Sequence, residues 1–144
     1  VLGEREDTQT VVIEESSDLQ EVHGSEILLV EDNEINQEVA EELLTSVGFK
    51  VDIANNGKEA IDMVKKKDYN CVLMDLQMPV MGGIDATKAI LADPLYSKLN
   101  ILAMTANAMT GDKEKCLAVG MKDHISKPID PDDLYAKLKK WIIL

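Results

Sequence analysis

Four apolar runs of this chain each lead into a polar residue of a type that can bind a metal ion or a phosphate. The runs ILLVED, CVLMD, ILAMT and HISKP lead to Glu31 with Asp32, Asp75, Thr105 and Lys127. If these runs are parallel strands of one α/β sheet, their carboxyl ends lie at the edge where such sheets bind ligands. Three carboxylates beside one lysine carry a charge of about −2, which favours a bound divalent cation. The pattern therefore predicts a magnesium site that handles phosphate.

Strand-like and helix-like segments alternate five times after residue 25. The continuous apolar run at 27–30 predicts a strand buried on both faces, and further strands are predicted at 51–54, 71–74, 101–104 and 124–126. Helices are predicted over 35–47, 57–66, 83–91, 111–119 and 131–141. In the first helix, apolar residues recur every four positions, at Ile35, Val39, Leu43 and Val47. Short links and right-handed crossovers favour an open, doubly wound parallel sheet with helices on both faces.

The first 25 residues differ from the rest of the chain in composition and in apolar pattern. They hold seven acidic residues and one arginine, and they show no sustained apolar period. We interpret residues 1–25 as an acidic linker or disordered tail, with a short extended piece at Thr10–Ile13, and residues 26–144 as one folded domain. The beginning, VLGERED, has no apolar stretch behind a basic one, so we expect no signal peptide.

Composition argues against several classes of function. The net charge is −12 and Arg5 is the only arginine, whereas DNA-binding surfaces rely on arginine and a basic stripe. No apolar run approaches the roughly 18–20 residues that span a bilayer. Cys71 and Cys116 lack the spacing of metal ligands, and we interpret them as buried thiols in a reducing cytoplasm. We therefore expect neither a nucleic-acid partner nor membrane contact by this part of the chain.

Four longer motifs, taken together, resemble one family. They are LLVEDNEINQEVAEELLTSVGF, VLMDLQMPVMGGIDATKAI, LAMTANAM and GMKDHISKPI, in this order. They resemble the receiver domain of two-component signalling, in particular the receiver at the C-terminal end of hybrid sensor histidine kinases. The resemblance covers about residues 26–144 and implies a flavodoxin-like sheet with strand order 2-1-3-4-5. It also implies Mg²⁺-dependent transfer of a phosphoryl group from phosphohistidine, with later hydrolysis of the acyl phosphate.

The resemblance assigns the acidic residues to nucleophile and metal site. Asp75 would be the phosphorylated residue, and a carboxylate can attack phosphorus if its charge is offset and the group is held in line. Asp32 would coordinate Mg²⁺ directly and Glu31 directly or through water. The backbone carbonyl of Gln77 would be a further ligand. One acid of the pair could instead cap the following helix, a task that Asn33 could do equally well.

The remaining site residues follow from the same resemblance. Lys127 would neutralise a phosphoryl oxygen, aimed inward by a cis bond to Pro128. Thr105 would be the switch hydroxyl and would donate to the phosphoryl group beside the amide of Ala106. His124 departs from the Tyr or Phe usual at a second switch position. Such a histidine could titrate near neutral pH, but we favour a partly buried, packed ring.

Partners and alternatives follow from this interpretation. We expect a histidine kinase core, in cis or in trans, and a histidine phosphotransfer domain as partners. The parent protein would be a hybrid sensor histidine kinase, a phosphotransferase that can be membrane-anchored, and the alternative is a stand-alone single-domain response regulator. A flavodoxin-like electron carrier would need a phosphate loop where this chain has EDNEIN, and an aspartyl-phosphate phosphatase would need an acid at Gln77.

Overall fold

The computed structural model describes Val22, residues 24–106 and residues 111–143. Within this part of the chain, five parallel strands form one sheet in the order β2-β1-β3-β4-β5, which confirms the predicted topology. The strands are β1 (Glu26–Val30), β2 (Lys50–Ala54), β3 (Cys71–Asp75), β4 (Ile101–Thr105) and β5 (Asp123–Ser126). The helices are α1 (Glu34–Thr45), α2 (Gly57–Lys66), α3 (Gly83–Leu91), α4 (Asp112–Ala118) and α5 (Pro131–Ile143), with a short 3₁₀ helix at Pro94–Tyr96.

Two apolar clusters cover the two faces of the sheet, because alternate strand residues point to opposite sides. One cluster joins strand residues such as Leu29 and Leu73 to residues of α1 and α5. The other joins residues such as Leu28 and Val72 to residues of α2, α3 and α4. The central strands are therefore buried on both faces, which is why they appear in the sequence as unbroken apolar runs. This packing fixes the strand ends.

Helix α1 does not bury all the apolar residues that recur every four positions in its sequence. Its buried residues are Ala40 and Leu44, whereas Ile35 is 71% exposed and Val39 is 49% exposed. Four residues advance a helix by about 40° more than one turn, so a stripe with strict four-residue spacing rotates away from the core. Two large apolar side chains of α1 consequently face solvent.

The folded part of the chain extends before Glu26. Val22 is 2% exposed and belongs to the same buried cluster as Leu44 and Phe49. The backbone N–H of Gly24 donates to the carbonyl of Gly48, at 2.9 Å. The predicted extended piece at residues 10–13 lies outside the described residues. Among the helices that the structure describes, none is both long and apolar enough to cross a bilayer.

Candidate functional site

The polar residues predicted at the strand ends meet at the carboxyl edge of the sheet. Glu31 follows β1, Asp75 and Thr105 are the last residues of β3 and β4, and Lys127 follows β5. The Lys127 ammonium lies 2.8 Å from Glu31 Oε1 and 3.1 Å from Asp75 Oδ2. The fold thus joins a lysine near the C-terminal end of the domain to two carboxylates from its first half.

Both carboxylate oxygens of Glu31 have partners. Oε1 accepts a hydrogen bond from Lys127. Oε2 accepts hydrogen bonds from the backbone N–H groups of Asp32 and Asn33, at 3.0 and 3.4 Å. The Glu31 side chain is only 2% exposed. These contacts compensate the burial of its charge and hold the carboxylate in one orientation at the base of the site.

Asp32 is exposed beside this pair, and helix α1 is capped by a different residue. The Asn33 side-chain oxygen accepts from the backbone N–H groups of Ile35 and Asn36, at 2.9 and 3.1 Å. Asp32 is therefore free of the capping task. Carboxylate oxygens of Glu31, Asp32 and Asp75 lie within 4.8 Å of one another. A cluster of hard oxygen ligands at this spacing suits Mg²⁺ or another divalent cation.

The pKa values of the two buried carboxyl groups, Asp75 and Glu31, shift in opposite directions. Burial raises the pKa of Asp75, and the adjacent Glu31 raises it further, while Lys127 partly opposes both effects. Burial also works against ionisation of Glu31, but its hydrogen bonds to Asp75 and Lys127 lower its pKa on balance. One lysine does not offset the charge of two buried carboxylates and the adjoining Asp32. The residues present thus fit an additional cation.

A cavity of about 110 Å³ opens next to Asp75. Its lining comprises Asp75, Leu76, Gln77, Met104, Thr105, Ala106 and Lys127. The backbone N–H of Gln77 donates to Asp75 Oδ1 at 3.3 Å, and the Thr105 residue is 3% exposed. A carboxylate, an ammonium and a hydroxyl therefore border one small space, as the sequence predicts.

The segment from Asp75 to the start of α3 at Gly83 packs closely against the end of β3. A Cβ on Gly83 would lie 2.3 Å from the carbonyl oxygen of Asp75, so no larger residue fits there without movement. Val80 has a φ of 69°, which is rare for a β-branched residue, and its side chain is 79% exposed. This loop brings Gln77 into the cavity wall.

The remaining predicted residues lie on strand β5 and directly after it. The Lys127–Pro128 bond is cis, and the Lys127 backbone N–H donates to the carbonyl of Thr105 at 2.9 Å. The His124 side chain is 18% exposed. Among the described residues its Nδ1 atom is buried without a hydrogen-bond partner, at 3.7 Å from Asp123 Oδ1. The imidazole is thus a partly buried ring outside the cavity lining.

Comparison with known proteins identifies the family. The family model for the response regulator receiver domain matches residues 27–139. The chain belongs to this family. A receiver domain of a sensor histidine kinase from Pseudomonas aeruginosa, solved with magnesium coordinated in its active-site cleft, superposes with a TM-score of 0.80. It is 41% identical, and the match covers 84% of this chain and 99% of that one.

Two further relatives place this receiver domain among signalling proteins. It is 43% identical over 134 residues to hybrid signal transduction histidine kinase I of Dictyostelium discoideum, covering 85% of this chain and 8% of that protein. It is 31% identical, with a TM-score of 0.78, to the receiver domain of a Saccharomyces cerevisiae response regulator co-crystallised with a histidine phosphotransfer protein, covering 84% and 90% of the two chains. The chain spans less than a fifth of the length of the curated relatives it matches.

Two features near the receiver site do not follow from the sequence motifs. The first is the exposed apolar pair Ile35 and Val39 on α1. The signal that could have identified the true buried face is the i, i+3, i+4, i+7 spacing of Ala40, Leu43, Leu44 and Val47. The second is Gln37, whose side chain bonds to the backbone of Glu31. No sequence signal distinguishes this glutamine from an ordinary solvated helix residue.

Proposed function

We propose that this receiver domain accepts a phosphoryl group from phosphohistidine onto Asp75 in a Mg²⁺-dependent reaction. The observation that carries the proposal is the placement of the Asp75 carboxylate at the cavity beside Lys127 and Thr105. Phosphoryl transfer depends mainly on holding the reacting groups in line and offsetting the charge of the phosphoryl oxygens. This cavity offers a nucleophile and two groups that can stabilise that charge.

The acidic cluster would hold the metal. Asp32, Asp75 and the Gln77 carbonyl would be its ligands, with Glu31 in contact directly or through water. Mg²⁺ would supply positive charge that offsets both the carboxylates and the incoming phosphoryl oxygens. Support comes from the spacing of the three carboxylates and from the magnesium in the related Pseudomonas aeruginosa structure.

The chain's own donors would stabilise the transferred group. The Lys127 ammonium would turn from Asp75 to a phosphoryl oxygen, while the Thr105 hydroxyl and the Ala106 N–H would donate to the others. Movement of Thr105 toward the phosphoryl group would shift the population of the surface formed by α4, β5 and α5. We assign His124 a packing role on this surface, consistent with its partly buried ring.

Transfer from a phosphorylated histidine phosphotransfer domain tests the proposed function. Radiolabel is expected to move to this chain with Mg²⁺ present and to form an acyl phosphate that alkali removes. Excess EDTA is expected to stop the transfer, because the charge of the site is then uncompensated. Label that survives alkali, or that moves equally well in EDTA, would contradict the proposal.

The exposed apolar pair on α1 suggests where the donor docks. Ile35 and Val39 lie one turn apart and therefore share a face, three and seven positions after Asp32. A solvated apolar face beside a reactive site is typical of a protein interaction surface. We propose that the phosphotransfer domain covers it, in keeping with the yeast complex of such a domain with a receiver.

An Ile35→Ala/Val39→Ala variant separates docking from chemistry. Transfer from the phosphotransfer domain is expected to slow about tenfold, because apolar anchors carry much of the affinity of an interface. Labelling by acetyl phosphate, which needs no docking, is expected to stay unchanged. Leu95→Ala is the control. Leu95 is 83% exposed and precedes β4, so it lies toward the amino ends of the strands, whereas the site lies at their carboxyl ends. Equal slowing by the control would contradict the assignment.

The wider context is also a proposal. The kinase partner would act in cis if this chain is part of a hybrid sensor histidine kinase, and in trans if it is a stand-alone response regulator. The hybrid relatives favour the first arrangement. We place the reaction in the cytoplasm, in keeping with the two buried free thiols, Cys71 and Cys116.

A further inference from the structure

We propose that Gln37 and Asn55 are positioning residues that hold the metal-binding loop after β1 in place. The inference rests on the proposed function. The Gln37 side-chain amide donates to the backbone carbonyl of Glu31 and to Asn55 Oδ1, the latter at 2.9 Å. One side chain on α1 thereby ties the residue that precedes Asp32 to the loop between β2 and α2.

The far end of this bridge is itself anchored. Asn55 donates through its backbone N–H and its side-chain amide to Glu59 Oε1, at 3.2 and 3.1 Å. Asn56 caps α2 by accepting from the Glu59 backbone N–H at 2.9 Å. Because the first turn of α2 fixes Glu59, the Asn55 amide has little freedom. Gln37 therefore binds to a residue that is itself hydrogen-bonded to the first turn of α2.

Gly57, the first residue of α2, directly follows the β2–α2 loop (residues 55–56) and contacts the loop that follows Asp75. The Gly57 backbone N–H donates to the Met81 carbonyl at 3.0 Å. A Cβ on Gly57 would lie 2.8 Å from that carbonyl and 2.8 Å from Ala86 Cβ, so the contact is close. The β2–α2 loop and Gly57 together thus contact both halves of the site, although none of these residues lines the cavity.

The charges of the site explain why the hydrogen bonds of Gln37 to Glu31 and Asn55 would affect metal binding. Without a cation, the carboxylates of Glu31, Asp32 and Asp75 repel one another and favour an open arrangement of the loop after β1. A bridge to the Glu31 backbone opposes that opening, so less reorganisation accompanies metal binding. Substitution of a residue that hydrogen-bonds to a metal ligand often lowers the metal affinity tenfold or more. We expect Gln37 and Asn55 to act in this way.

Calorimetric titration of the whole chain with Mg²⁺ tests the inference. Gln37→Met keeps the side-chain volume and removes the donor, and it is expected to raise the Kd for Mg²⁺ about tenfold. Asn55→Ala is expected to have a similar effect, and the double variant to bind no more weakly than either single one, because both changes break one bridge. Asn36→Ala, an exposed amide of the same helix, should bind as the wild type does.

Metal-free measurements supply a second readout. In Gln37→Met the amide NMR signals of Asp32 and Asn33 are expected to shift or broaden, while the thermal midpoint changes little. Additive losses in the double variant, or unchanged Kd values despite a lower thermal midpoint, would overturn the positioning role. A wild-type protein that does not bind Mg²⁺ would overturn the proposed function itself, which distinguishes the two failures.

Discussion

Asp75→Asn is expected to abolish phosphoryl uptake, lowering the rate of labelling by acetyl phosphate by more than about a thousandfold. The amide has almost the shape of the carboxylate but no nucleophilic oxygen anion. The fold should persist, because burial and the nearby Glu31 already raise the pKa of Asp75 and make its charged form unfavourable. The free energy of unfolding of the metal-free protein should therefore be unchanged or larger.

The rate is measured as radiolabel incorporated per mole of protein, with circular dichroism to confirm folding. Asp62→Asn is the matched control, since Asp62 is an exposed aspartate in the middle of α2. It should be labelled at the wild-type rate. Undiminished labelling of Asp75→Asn would place the nucleophile elsewhere and would remove the main support for the proposed function.

Lys127→Met is expected to slow phosphoryl transfer about a hundredfold or more while leaving Mg²⁺ binding intact. Methionine retains the apolar stem and removes the charge that would stabilise the phosphoryl oxygens. In the metal-free protein the same change leaves Glu31 and Asp75 buried without their counter-ion. Losing one partner of a buried ion pair costs roughly 3 kcal/mol, so the free energy of unfolding should fall by about that amount.

Added Mg²⁺ should restore much of this lost stability, because the metal replaces the missing positive charge. Denaturant titrations with and without Mg²⁺ measure the recovery, and acetyl phosphate labelling measures the rate. Lys66→Met, at the exposed end of α2, is the control and should change neither. A wild-type labelling rate in Lys127→Met would show that the ammonium takes no part in the transfer.

The sheet and the outline of the site could be predicted because a parallel sheet places all strand ends at one edge. Once the apolar runs are recognised as strands, Asp75, Thr105 and Lys127 must lie near one another whatever their separation in sequence. The cap Asn33 also follows from local chemistry, since it accepts from backbone N–H groups two and three residues away. These features depend on short-range rules.

The features that escaped prediction depend on packing across elements. The phase of α1 is set by which residues meet the sheet, so Ala40 and Leu44 are buried while Ile35 and Val39 are exposed. The bond from Gln37 to Asn55 joins residues 18 positions apart, one on α1 and one in the β2–α2 loop, whose approach only the folded chain defines. Sequence patterns carry little information on such contacts, because Gln37 and Asn55 are polar and belong to no periodic apolar pattern.

Mapping of the phosphorylated residue tests the central claim most directly. The protein is incubated with acetyl phosphate and Mg²⁺, its intact mass is measured, and the modified peptide is sequenced by mass spectrometry. We expect one phosphoryl group per chain, attached to Asp75, and none in excess EDTA. A phosphoryl group on any other residue, or an unmodified Asp75 at saturating Mg²⁺, would contradict the account.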